Sequence, residues 1–80
     1  MLTVGSLSAQ TIKQFEKAAY LALEEKNFYD AMRNFDILLE SKPQARYWFG
    51  YAEAARQLHA YTEAERAYEQ VALLPEKRDF

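Results

Sequence analysis

The side chains with catalytic potential in this sequence are one histidine, three serines and several glutamates. His59 could act as a general base. The serines are Ser6, Ser8 and Ser41, and none has a partner that would complete a catalytic triad. The chain also has no glycine-rich phosphate loop. The acidic pairs are of the kind that solvated helix faces carry: Glu24 with Glu25, and Glu63 with Glu65. We therefore interpret His59 as a polar turn residue and predict no enzymatic activity.

The amino-acid composition argues against several further classes of function. With no cysteine and one histidine, the chain is not expected to hold a disulfide, a reactive thiol or a zinc ion, and we predict no cofactor. The net charge is −2, and acidic and basic residues are interleaved along the sequence. This pattern leaves no basic stripe that could bind nucleic acid. No apolar run approaches the ~20 residues that cross a bilayer, and residues 1–6 lack the features of a signal peptide. We predict neither nucleic-acid binding nor membrane insertion, and the compartment is left open.

An aromatic run is the most unusual stretch, with four rings in five positions around a glycine: Tyr47, Trp48, Phe49, Gly50 and Tyr51. Stacking on a sugar or a base would require these rings to face the same way. In a helix, each step turns the side chain by ~100°, so Trp48 and Tyr51 share a face while Phe49 points elsewhere. We predict that Trp48 and Tyr51 are core residues and that Gly50 marks the close approach of another helix or chain.

Apolar residues at three- and four-residue steps predict a first pair of helices. The first helix covers about residues 9–25 and has Ser8 as its N-cap. The second follows Asn27, which is spaced from Asp30 as a cap, and ends before Pro43. The short connection predicts that the two helices pack antiparallel.

A second pair of helices follows the same plan. The third helix covers about residues 45–58, and residues 59–61 are predicted to form the turn. Thr62 and Glu65 are spaced as a capping box for the fourth helix, which ends at Pro75. The chain has no strand pattern.

The second helix pair repeats the first at a constant offset in residue number, such that Phe15 corresponds to Trp48. We call this offset the repeat shift. It superposes residues of like size and character in both helices: Phe15 on Trp48, Ala19 on Ala52, Ala22 on Ala55, Phe28 on Tyr61, Ala31 on Ala64, Phe35 on Tyr68 and Leu38 on Val71. Self-similarity at such a period is typical of stacked helical repeats.

These residues resemble the tetratricopeptide repeat family. The family pattern is found twice, as Phe15, Ala19, Ala22, Phe28, Ala31, Phe35, Pro43 and as Trp48, Ala52, Ala55, Tyr61, Ala64, Tyr68, Pro75. Ala22 and Ala55 stand where the family usually has an aromatic residue, and the period is one residue short of the typical 34. The resemblance covers residues 12–75.

The resemblance implies an all-α fold, in which two antiparallel helix-turn-helix hairpins stack as a short right-handed α-solenoid. The first hairpin is expected at residues 9–44 and the second at residues 45–75. Residues 1–8 are interpreted as a tail and residues 76–80 as a polar end. Tyr47 is then predicted to lie at the contact between the hairpins.

In this family, the first helices of successive repeats line a concave groove that receives an extended peptide or a partner helix. In this chain, helical phase predicts that ten residues line the equivalent groove: Lys13, Glu16, Tyr20, Leu23, Glu24, Arg46, Phe49, Glu53, Arg56 and Gln57. Arg46 and Arg56 are candidate anchors for a carboxylate, and Tyr20 and Phe49 are candidate apolar contacts. The alternative interpretation is an ordinary solvated helix face.

The fourth helix carries apolar residues that no fifth helix in this sequence would cover, namely Tyr61, Tyr68 and Val71. Either the chain is a fragment of a longer array or this face supports self-association. We therefore predict a protein-interaction module that binds a protein or peptide in the groove and forms homo-oligomers. The alternative is a purely structural segment of a larger repeat scaffold without a peptide ligand, of the style found in bacterial envelope and secretion-associated proteins.

Overall fold

The computed structural model describes residues 8–75, so most of the predicted tail and all of the predicted polar end lie outside the described residues. Four α-helices and no strand are present in this range: α1 Ala9–Glu24, α2 Phe28–Ser41, α3 Ala45–Gln57 and α4 Tyr61–Leu73. The predicted all-α fold is confirmed, and the helix ends agree with the sequence pattern to within one or two residues.

The helix starts agree only in part with the predicted caps. Ser8 caps α1 as predicted, since its hydroxyl accepts a hydrogen bond from the backbone N–H of Thr11 at 3.2 Å. Asn27 occupies the N-cap position of α2, but its side chain donates to the Asp30 carboxylate at 2.8 Å and caps no backbone group. The predicted capping box of α4 is wrong.

The start of α4 lies before the predicted capping box. The N-cap is Ala60, which offers no side-chain acceptor, and Tyr61 is already the first helical residue. Thr62 therefore lies inside the first turn of the helix, where it cannot act as the cap. The reason is the geometry of the preceding turn, which leads the backbone into α4 directly after His59.

The turns within the two hairpins have the same backbone geometry. Lys26 and His59, which the repeat shift superposes, adopt left-handed conformations with φ of 62° and 64°. Directly after them, Asn27 N–H donates to Ala22 O and Ala60 N–H donates to Ala55 O, both at 2.8 Å. This is the Schellman arrangement that ends a helix sharply and satisfies its last carbonyl groups. The internal repeat thus extends from side-chain pattern to backbone geometry.

The helices pack in chain order. Contacts join α1 to α2, α2 to α3 and α3 to α4, and α1 also touches α3. The α2–α3 contact joins the two hairpins into one stack. Among the described helices, α4 is in contact with α3 and with no other. One side of α4 is therefore left uncovered by any described helix.

The core is built mainly from small side chains. Nine of the fourteen buried apolar residues in the described range are alanines, which lets the helices approach closely. The largest fully buried side chains are Tyr47, Phe35 and Leu38. Six of the alanines were predicted from the repeat: Ala19, Ala22, Ala31, Ala52, Ala55 and Ala64.

The aromatic run is divided among different packing roles. Trp48 and Tyr51 are partly buried against the core, and their rings meet edge to face with centroids 6.2 Å apart. Tyr47 is 1% exposed and belongs to the same core cluster as the α2 residue Phe35, which confirms its place between the hairpins. A Cβ atom on Gly50 would lie 2.6 Å from Cε2 of Phe35. The predicted close approach is therefore confirmed, and the approaching element is α2.

Candidate protein-binding surfaces

Glu16 links the two hairpins on the side where the groove was predicted. Its carboxylate accepts a hydrogen bond from Arg46 Nη2 at 2.5 Å, and the Tyr47 hydroxyl donates to the same oxygen. Glu16 lies on α1 and the other two residues lie on α3, so we call the three side chains the inter-hairpin clamp. Burial raises the pKa of Tyr47 and the hydrogen bond to Glu16 raises it further, so the hydroxyl remains a donor.

Tyr20 lies beside the inter-hairpin clamp. Its ring meets Phe35 edge to face with centroids 5.1 Å apart, and the residue is 37% exposed. Burial raises the pKa of its hydroxyl, while the positive charge of Arg46 acts in the opposite direction. The Arg46 side chain is half exposed. Tyr20 and Arg46 thus form one aromatic and cationic surface that spans α1 and α3.

A second polar cluster ties α3 to α4. The Tyr68 hydroxyl donates to the Glu53 carboxylate at 2.5 Å, and Arg56 Nη2 donates to the other carboxylate oxygen at 3.0 Å. Burial by itself would raise the pKa of Glu53, but the hydrogen bonds from Tyr68 and Arg56 outweigh it and lower the pKa. Glu53 is therefore held as a carboxylate at neutral pH.

These clusters change the interpretation of the predicted anchors. Arg46 and Arg56 each hold a carboxylate of this chain, so a carboxylate of a partner would have to compete with Glu16 or Glu53. Phe49 is half-buried and its ring faces that of Tyr68, with centroids 6.1 Å apart. Among the remaining predicted groove residues, Leu23 packs against the core and also lines an open surface pocket of about 670 Å³ on α1 together with Tyr20 and Leu21. The other three are exposed polar residues: Lys13, Glu24 and Gln57.

Another concave surface lies on the uncovered side of α4. It is an open groove of about 720 Å³, and we call it the end groove. Tyr61 stands out there at 62% exposure, whereas Val71, predicted for the same face, is 7% exposed and buried. The lining residues are Arg56, Tyr61, Ala64, Glu65, Tyr68, Glu69 and Ala72. The sequence-based prediction therefore found Tyr61 and Tyr68 on this face and missed its alanines and glutamates.

The repeat shift could have located the whole end groove. It relates the lining residues to a set on the first hairpin: Leu23, Phe28, Ala31, Met32, Phe35, Asp36 and Leu39. Within that first set only Asp36 is exposed, whereas the other six residues belong to the core cluster or pack against it, and Gly50 of α3 lies against the ring of Phe35. Tyr47 and Ala54 of α3 lie in the same core cluster as Phe35. The end groove is thus the repeat equivalent of a surface that a helix fills.

The end groove is more polar than its equivalent on the first hairpin. Glu65 replaces Met32 and Arg56 replaces Leu23, and all four positions belong to the two matched sets. Charged replacements of this kind let the surface face water without aggregation. The apolar floor, formed by Ala64 and the ring of Tyr68, is retained.

The described helices thus define an all-α, repeat-like protein. No described helix is long and apolar enough to cross a membrane. No protein-family model, curated protein or solved structure matched the chain in our comparisons. The tetratricopeptide resemblance accordingly stays a prediction, which rests on the repeated side chains and on the repeated turn.

Proposed function

We propose that this chain is a protein-interaction module of the tetratricopeptide type, and that it binds a helix of a partner protein in the end groove. One observation carries the proposal. The equivalent groove of the first hairpin is occupied by α3, so the geometry of this repeat accepts a helix at this position. The matching left-handed turns at Lys26 and His59 support the assignment of both hairpins to one repeat type.

The exposed apolar residues of the end groove favour a protein partner. The ring of Tyr61 is mostly exposed, and aromatic rings that are exposed beside a concave surface are typical of binding hot spots. Ala64 lies between the tyrosines and Ala72 lies one turn beyond Tyr68, and these small side chains leave space for a helix backbone to approach α4 closely. Burial of such a surface on association is favourable by about 25 cal/mol per Å² of apolar area, before the cost of association is subtracted.

A selection experiment tests this function. A displayed library of helical peptides is panned against the immobilised chain, and the bound peptides are mapped by amide chemical shifts in the labelled protein. We expect the shifts to cluster at Ala64, Glu65 and Ala72. Ala72→Arg, a change at an exposed position of the end groove, should abolish binding. Glu40→Arg is a matched control, because Glu40 is exposed on α2 and lies outside the end groove. Failure to select any helix that binds this surface would contradict the proposal.

The concave face is the second candidate site. It is favoured by the half-exposed pair of Tyr20 and Arg46, which joins α1 to α3 into one surface. A peptide carboxylate bound there would displace Glu16 from Arg46. In the selection experiment, shifts at Lys13, Tyr20 and Arg46 in place of the end-groove shifts would assign the function to this face.

A further inference from the structure

We infer that the helix received by the end groove carries glycine or alanine over the ring of Tyr68 and, directly after it, a lysine or arginine between Glu65 and Glu69. This inference rests on the proposed function and specifies the chemistry of its partner. It follows from two contacts that α3 makes with α2, transferred to α4 by the repeat shift.

The first contact defines the small residue. On the first hairpin, Gly50 of α3 lies so close to Phe35 that even a Cβ atom would come within 2.6 Å of a ring carbon. The repeat equivalent of Phe35 is Tyr68, whose ring lines the end groove. Tyr68 is held in place by its hydrogen bond to Glu53 and by its edge-to-face contact with Phe49. A helix that packs as α3 does must therefore present a small residue there.

The second contact defines the basic residue. Tyr51, which directly follows Gly50, lines a surface pocket together with Met32 and Asp36 of α2. The repeat equivalents of Met32 and Asp36 are Glu65 and Glu69. A residue in the place of Tyr51 would therefore stand beside two exposed carboxylates and one cation, since Arg33 lines the same pocket and its repeat equivalent is the exposed Arg66. Because the two carboxylates outnumber the one guanidinium, the local charge is negative, so a lysine or arginine at that place is favoured on balance and an acidic residue is disfavoured.

No described helix of a second copy meets these requirements. On α1, Lys17 occupies the place of Gly50, so its side chain would overlap the ring of Tyr68 in this packing geometry. Two α4 helices facing each other would oppose Glu65 and Glu69 with the same residues. The matching face of α3 is already used within its own fold, where Tyr47 is buried. The charges and sizes therefore point to a different protein as the partner.

The probe is a synthetic peptide of residues 44–58, the α3 segment, labelled with a fluorophore and carrying Tyr51→Lys. We expect it to bind the intact chain about threefold to tenfold more tightly than the matched Tyr51→Glu peptide, as rim charges usually allow. The preference should decline with added salt. The chain variant E65K/E69K should reverse it, whereas Glu40→Lys should leave it unchanged. A third peptide with Gly50→Leu in addition to Tyr51→Lys should bind at least about tenfold more weakly.

Amide chemical shifts locate the peptide. Shifts at Ala64 and Ala72 are expected, whereas shifts at Ala31 would mean that the peptide has replaced the chain's own α3 and would overturn the assignment. Equal affinity of the lysine and glutamate peptides, or tolerance of Gly50→Leu, would also overturn it. If helices selected from the library bind the end groove without a small and basic pair, the partner chemistry is wrong while the proposed function stands.

Light scattering across a concentration series measures the molar mass and so tests whether a second copy of this chain occupies the end groove. The apolar residues of the sequence predict homo-oligomers, whereas the charges of Glu65 and Glu69 in the end groove lead us to expect a constant mass. A mass that rises with concentration in the native chain and is constant in Ala72→Arg would identify a second copy of this chain as the occupant and would contradict the inference.

Discussion

Replacing Gly50 by alanine should destabilise the protein, although glycine within a helix is usually the less stable choice. In an unconstrained helix interior, the change from glycine to alanine stabilises by about 1 kcal/mol. Here the added methyl group would lie 2.6 and 2.7 Å from Cε2 and Cε1 of Phe35. Phe35 is fully buried, so its ring can move only if the surrounding core moves with it.

The size of the effect follows from these two opposing contributions. Overpacking a well-packed core costs about 1–3 kcal/mol, and the rigid ring and its short contacts favour the upper part of that range. After the gain in helix propensity is subtracted, we expect a net loss of about 2 kcal/mol. Domains of this size are usually stable by only about 5 kcal/mol or a little more, so such a loss is readily measured.

Urea unfolding followed by far-UV circular dichroism measures this change in the free energy of unfolding. Lys17 supplies a control, because it is exposed and occupies the repeat-equivalent position on α1. The difference in free energy of unfolding between Lys17→Gly and Lys17→Ala measures the effect of replacing glycine by alanine in a helix where no aromatic ring lies against the residue. The double variant F35L/G50A should recover stability relative to Phe35→Leu, with a coupling energy of about 2 kcal/mol.

A stabilising effect of Gly50→Ala equal to the increment at Lys17 would refute the reasoning. It would mean that α3 lies further from α2 than the structure has it. The inferred small residue of the partner helix would then lose its basis, because that inference uses the same contact.

Three further predictions concern stability. Lys26→Gly should stabilise the protein by about 1 kcal/mol in thermal unfolding, because Lys26 has a φ of 62°, whereas Glu25→Gly, at a φ of −84°, should destabilise it. Because the pKa of Glu53 is lowered in the folded state, its contribution is present above the unfolded-state pKa and is lost as the pH falls through the folded-state pKa. In urea titrations from pH 6 to pH 3, the free energy of unfolding of the native chain should therefore fall more steeply than that of Glu53→Gln. Parallel plots of the free energy of unfolding against pH would contradict this. Phe35→Ala should cost about 3–5 kcal/mol and leave little folded protein by circular dichroism, and a cooperative transition close to that of the native chain would show that Phe35 is not central to the core.

The predicted binding residues show where sequence reasoning was limited. Helical phase placed Glu16 and Arg46 on one side of their helices, and the structure does bring them together. Phase could not show that the two side chains satisfy each other, because their pairing spans 30 residues and depends on how α1 packs beside α3. A pattern read along one helix contains no information on the distance to the next.

The local structure of this protein could be predicted from its amino-acid sequence alone. Apolar spacing, Ser8 and the two prolines indicated four helices, and the repeat shift indicated two equivalent hairpins, because these signals depend on neighbours within a few residues or on direct comparison of the copies. Only the tertiary structure decided which of those faces are covered. It buried Val71, occupied both predicted arginine anchors, and left Tyr61 exposed beside an open groove on α4. The physical reason is that a helix has one apolar pattern but several possible neighbours, and packing alone determines which face meets water.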